Sequence, residues 1–247
     1  MDSVDIRECQ KRYKKKILIS LGGGAPAYQG FSTKEDAYKF GKQIWKMFGP
    51  DLSYAFRPFG NATVDGFDLD FEHGTATNYD RVALQLRDLM NKDSKKTGKQ
   101  WLLTAAPQCP IPDENLDTAL TSVPFDAIFV QFYNNPGCDA RGEFNFARWD
   151  DFAKTKSKNH ELKVFMALPM NEGIPGYINS TQAADKIADI TKTYTSFGGL
   201  AGWDASMADL DPEYIPTVKE ALNAGSGHKG GIGHYQHKRT HHGRRYR

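Results

Sequence analysis

Asp65-Gly-Phe-Asp-Leu-Asp-Phe-Glu72 is the stretch on which the fold turns. Its carboxylates Asp68, Asp70 and Glu72 stand two residues apart, and therefore on one face of a strand, while Phe67, Leu69 and Phe71 take the opposite face. An apolar face of that kind buries against covering helices, and the acidic face is turned into a confined site. Like charges spaced roughly 6–7 Å apart by strand rise resist full ionisation, so at least one of the three pKa values is expected to rise towards neutrality. A carboxyl that stays protonated beside ionised ones is a proton donor. The same residue types would also suit a divalent cation or a solvated acidic loop, although the spacing is not that of an EF-hand.

Working outward, further short apolar runs read as strands at 16–21, 101–106, 127–133, 163–168 and 199–203, which with 66–72 makes six. Amphipathic stretches at 33–48, 78–95, 143–156 and 181–195 lie between them. Strand–helix alternation implies parallel strands with crossover helices. Polar or glycine-rich residues follow the strands, as at Gly22-Gly23-Gly24, Glu72-His73-Gly74 and Tyr133-Asn134-Asn135. In a parallel barrel, function gathers at those strand ends.

The chain has 247 residues with 39% hydrophobic and 12% aromatic content, enough for one large core. Its net charge of +2 hides a split: 225–247 carries six Lys or Arg, five His and no acid, which leaves 1–224 at −4. We therefore expect a folded body over 1–224 and a disordered basic tail over 225–247. The Lys11–Lys16 run reads as the exposed end of a helix leading into the first strand, not a nucleic-acid patch. No apolar run reaches signal-peptide or membrane-span length. Gly22-Gly23-Gly24 fits neither a phosphate loop nor a dinucleotide fingerprint, and no cofactor is expected. A turn allowing close backbone approach is the better reading. Cys9, Cys109 and Cys138 lack a zinc spacing, so no metal is assigned and at most one disulfide forms within the chain. Asn61-Ala-Thr63 and Asn179-Ser-Thr181 are glycosylation acceptors if the chain is exported. Trp45, Trp101 and Trp149 read as packing residues.

The segment from Asp65 to Glu72 resembles the catalytic strand of glycoside hydrolase family 18. Ile19-Ser-Leu-Gly-Gly-Gly24, Thr104-Ala-Ala-Pro-Gln-Cys-Pro110, Val130-Gln-Phe-Tyr-Asn-Asn-Pro136 and Phe197-Gly-Gly-Leu-Ala-Gly-Trp203 resemble its class III (plant and fungal type) chitinases. The resemblance implies an α/β fold of the (β/α)8 TIM-barrel type and hydrolysis of chitin or chitooligosaccharide by a substrate-assisted, retaining mechanism. Carried over, Glu72 is the general acid and Asp70 holds the acetamido N–H. Asp68 shares charge and proton with Asp70, and Tyr133 hydrogen-bonds the acetamido oxygen. Gln131 adds a polar contact to the substrate, and Trp203 floors the sugar pocket. Without such a role, Trp203 would plug a barrel end and Tyr133 would satisfy a buried hydrogen bond. The resemblance also pairs Cys109 with Cys138 and places the protein outside the cell or in the cell wall, with no nucleic-acid partner and no membrane span.

Six strands are about two units short of a closed barrel, because the first recognisable strand matches the family's third. The family's partner for Cys9 falls in the first unit. These features lead us to expect a barrel lacking its first two units, with unpaired edges at its first and last strands and a more open sugar site. Other readings are a catalytically silent chitin-oligomer-binding fragment, an endo-β-N-acetylglucosaminidase acting on N-glycan cores, and a metal-dependent lyase or hydrolase built on Asp68, Asp70 and Glu72.

Overall fold

Six apolar runs become six parallel strands in sequential order in the computed structural model, which describes residues 3–24, 30–73 and 77–225. They are β1 (Leu18–Gly23), β2 (Gly66–Phe71), β3 (Leu102–Ala105), β4 (Ala127–Gln131), β5 (Lys163–Pro169) and β6 (Phe197–Trp203). The helices are α1 (Ser3–Lys11), α2 (Lys34–Phe48), α3 (Tyr79–Thr97), α4 (Asp117–Ser122), α5 (Phe146–Thr155), α6 (Ser180–Thr193), α7 (Ala205–Ala208) and α8 (Tyr214–Gly225). Among the described residues β1 pairs only with β2 and β6 only with β5, so the sheet is an unclosed (β/α)8-type wall. The expected basic tail lies outside the described residues from 226 onward. Gly225, its first residue, ends α8.

Burial follows the alternation. Phe67, Leu69 and Phe71 are at most 2% exposed and face the helical layer. There Trp45 and Trp101 pack on each other at 4.7 Å, and Trp101 stacks on Phe67 at 6.2 Å. Trp149 is fully buried and its indole N–H donates to the Cys109 carbonyl at 3.0 Å. All three tryptophans therefore sit in packing positions. Caps stop the helices where the pattern stops: Thr33 accepts from the Asp36 N–H at the start of α2, and Asn179 with Gln182 forms a capping box for α6.

Aspartates clasp the N-terminal strand ends. Asp65 accepts from the Ile17 N–H at 3.0 Å and Gln10 Nε2 at 2.8 Å, tying α1 to the sheet. Asp126 accepts from the Leu103 N–H at 2.8 Å and from Arg87 at 2.7 Å. The basic run leaves α1 at Lys11 and is exposed through Lys16, which lies 3.7 Å from Asp65. Cys109 and Cys138 are disulfide-bonded, joining the loop after β3 to the loop after β4, and Cys9 is a free thiol. Among the described residues no helix is long and apolar enough to cross a membrane.

Candidate active site

Asp68 lies midway along β2, Asp70 near its C-terminal end and Glu72 one residue beyond it. Strand register explains how Asp68 is held. Ser20 of β1 and Thr104 of β3 are its neighbours on either side, and their hydroxyls donate to Asp68 Oδ2 at 2.8 Å and Oδ1 at 2.6 Å. Burial pushes the Asp68 carboxyl up, against the pull of those two hydroxyls.

The Asp70 carboxyl is raised to about 7, first through burial and then through the neighbouring charges of Glu72 and Asp68. Its Oδ1 accepts from Gln131 Nε2 at 3.0 Å, and the same nitrogen donates to the Ala106 carbonyl at 2.9 Å. The Glu72 carboxyl is also pushed up, by burial first and with help from the charge of Asp113, while the nearby Gln131 amide and His73 pull it down. Asp70 and Glu72 act on each other's titration, Glu72 pushing Asp70 up and Asp70 pulling Glu72 down, so the pair retains a proton towards neutral pH.

Around Glu72 the backbone closes in. His73 Nε2 donates to the Gly24 carbonyl at 2.6 Å, and the Tyr79 hydroxyl donates to the His73 carbonyl at 2.8 Å. Gly22, at φ +116°, lies so close to β2 that a Cβ there would run into the Asp70 carbonyl. The glycine run is thus a close-approach turn that lets β1 lie against the acidic strand β2.

Tyr133 stands two residues beyond β4, buried, with its phenol pushed up by burial and by the charges of Glu72 and Asp70. Its ring stacks at 6.0 Å and 14° on Trp203, the last residue of β6, which is 50% exposed. An exposed indole beside a buried phenol makes an apolar wall with one polar tip, a surface suited to a sugar face. Gly176, at φ +95°, backs this wall: a Cβ there would come within 2.7 Å of the Tyr133 Cα. Gly176→Ala is expected to cost about 1–3 kcal/mol of stability through backbone strain and to displace Tyr133. Thermal unfolding beside kcat and KM on the substrate proposed below checks this. An unchanged Tm with unchanged kinetics would show that the position tolerates a side chain.

Tyr133, Gln131 and Trp203 thus come together with the three acids, while Cys109 and Cys138 brace the adjoining loops. Composition and periodicity did not single out Ser20, Thr104, Asp113 or Gly176. The first two follow from strand register once parallel order is assumed, whereas Asp113 and Gly176 lie in loops with no periodic signal. Among the described residues no three His, Cys, Asp or Glu side chains are grouped as a metal ion requires.

Comparison with known proteins bears on this geometry. The model of the glycosyl hydrolases family 18 matches residues 2–202. A class III chitinase of Arthroderma benhamiae is 42% identical over 236 residues, covering 90% of this chain and 70% of its own length. An endochitinase of Saccharomyces cerevisiae is 40% identical over 229 residues, covering 90% of this chain but only 39% of its own length. In the crystal structure of ICChI chitinase from Ipomoea carnea, a TM-score of 0.74 accompanies 29% identity, over 89% of this chain and 78% of that one.

Proposed function

The chain belongs to glycosyl hydrolases family 18, and from that premise we propose that it hydrolyses internal β-1,4 linkages of N-acetylglucosamine polymers, taking chitin and chitooligosaccharides as substrates. The observation that carries this reading is the Asp70–Glu72 pair. It retains a proton towards neutral pH at the strand ends, beside the Tyr133–Trp203 wall.

In the mechanism, Glu72 gives that proton to the glycosidic oxygen as the C1–O bond breaks. The substrate's own 2-acetamido oxygen forms the new bond to C1, giving an oxazolinium ion, so no second enzyme carboxylate acts as nucleophile. Asp70 accepts the acetamido N–H and, ionised, stabilises the cation. Asp68 supports Asp70 through shared charge and proton. The Tyr133 hydroxyl donates to the acetamido oxygen, steering it towards C1. Gln131 orients Asp70, and Trp203 carries the apolar face of the sugar. Water then attacks C1 from the leaving-group side, returning a proton to Glu72, and configuration is retained.

The Cys109–Cys138 disulfide supports an oxidising compartment, which fits an extracellular or cell-wall protein. The test is to incubate the chain with a soluble chitin oligomer and follow the anomeric protons by NMR, with circular dichroism confirming the fold. Cleavage with the β-anomer appearing first is expected. A folded chain that releases no reducing ends, or releases the α-anomer first, would overturn the proposal.

A further inference from the structure

We propose that Asp113, a buried residue in the loop between β3 and α4, is a positioning residue for this reaction: its carboxylate fixes the 106–108 segment whose carbonyls seat Gln131 against Asp70. The inference rests on the hydrolase reading above.

Asp113 is 6% exposed. Its Oδ1 accepts from the N–H groups of Asn115 at 2.9 Å and Leu116 at 2.6 Å, just before α4, and its Oδ2 accepts from the Gln108 N–H at 2.8 Å. All three partners are donors, so both oxygens serve as acceptors, as in the ionised form. The segment held this way has a second set of bonds on its other side. The Pro107 carbonyl accepts the Gln131 N–H at 2.8 Å, the Ala106 carbonyl accepts Gln131 Nε2 at 2.9 Å, and Gln108 Oε1 accepts Asn135 Nδ2 at 3.1 Å. Gln131 is thereby fixed in backbone and side chain, with its amide aimed at Asp70 Oδ1.

A helix start alone does not call for a carboxylate here, since Ser or Asn caps as well without a buried charge. The second oxygen explains the choice, because it reaches five residues back to Gln108. The charge has a further use, since Asp113 is among the groups that push the Glu72 carboxyl up. Burial also pushes the Asp113 carboxyl up, opposed by its three N–H donors.

A double-mutant cycle tests the coupling. Gln131→Ala and Asp113→Asn are each expected to lower kcat/KM by about 10- to 100-fold, as displacement of an aligned group does. The double variant should fall less than about twofold below the weaker single variant, because both changes break one chain of contacts. Losses that multiply would overturn the inference. The Gln131 side-chain amide supplies a second readout that needs no turnover. Its 15N-detected resonances are expected to move towards free-amide values in Asp113→Asn, and an unmoved pair would equally overturn the inference. Should Asp113→Asn fail to fold, Asp113→Ser, which keeps one acceptor for the α4 amides, carries the same cycle. Absence of turnover in the wild-type chain, or full turnover in Glu72→Gln, would sink the hydrolase reading and leave the amide signal to decide the role of Asp113.

Discussion

The Glu72→Gln variant is expected to lose about 10³-fold or more in kcat on a chitin oligomer, with little change in KM or in the folded structure. Gln matches Glu in shape, so substrate contacts survive, but its amide has no proton to give the leaving oxygen. An alkoxide leaving unprotonated faces a barrier higher by several kcal/mol, and each 1.36 kcal/mol is tenfold in rate. Burial and the charge of Asp113 already hold the Glu72 carboxyl above its ordinary value, which is the condition an acid needs near neutral pH. Steady-state kinetics on purified wild type and variant, with matched circular dichroism, measures the loss. A variant retaining more than about a tenth of wild-type kcat would mean that the proton comes from elsewhere, and the role assigned to Glu72 would fall.

Much of this arrangement is legible in the sequence because parallel strands buried on both faces read as short apolar runs, and all six emerge at their expected places. The acidic strand is legible for a second reason: alternating carboxylates and large apolar residues leave one physical solution, with Phe67, Leu69 and Phe71 outward into the helices. Helix α8 lies beyond the stretches read as amphipathic and carries Pro216 in its first turn, where a missing N–H costs nothing. Helix α4 is only six residues long and carries too little pattern to detect. Strand ends are also blurred. Glu72 and Tyr133 lie just past β2 and β4, so their side chains are aimed by loop contacts, including Gly24 and Gly176, and not by alternation alone. Asp113 sits in a proline-rich loop where neither period applies, and only hydrogen bonds from residues on both sides of it disclose its place.

Asp70→Asn is expected to trade activity for stability, and the two effects separate by pH. With its carboxyl raised to about 7, folded Asp70 holds a proton over a range where the unfolded chain, near its ordinary value of 3.8, has released it. The folded state therefore binds more protons between those values, and stability falls as pH climbs from about 4 to about 7. Below the lower value both states are protonated and the group costs nothing; above the upper value the full penalty of a buried, crowded carboxylate is present. Asn removes the charge while keeping an oxygen and an amide, so the variant should be more stable than wild type by about 2–4 kcal/mol at pH 8. A gain of that size corresponds to roughly 5–10 °C in Tm for a chain of this length, fading to nothing near pH 4. Catalysis moves the other way: without an ionisable partner to stabilise the oxazolinium cation, kcat should fall by about 10²- to 10³-fold. Tm against pH, measured beside kcat, decides the matter. A variant less stable than wild type at pH 8 would show that Asp70 is anchored as a favourable ion, and the strained carboxylate pair on which the proton supply depends would have to be abandoned.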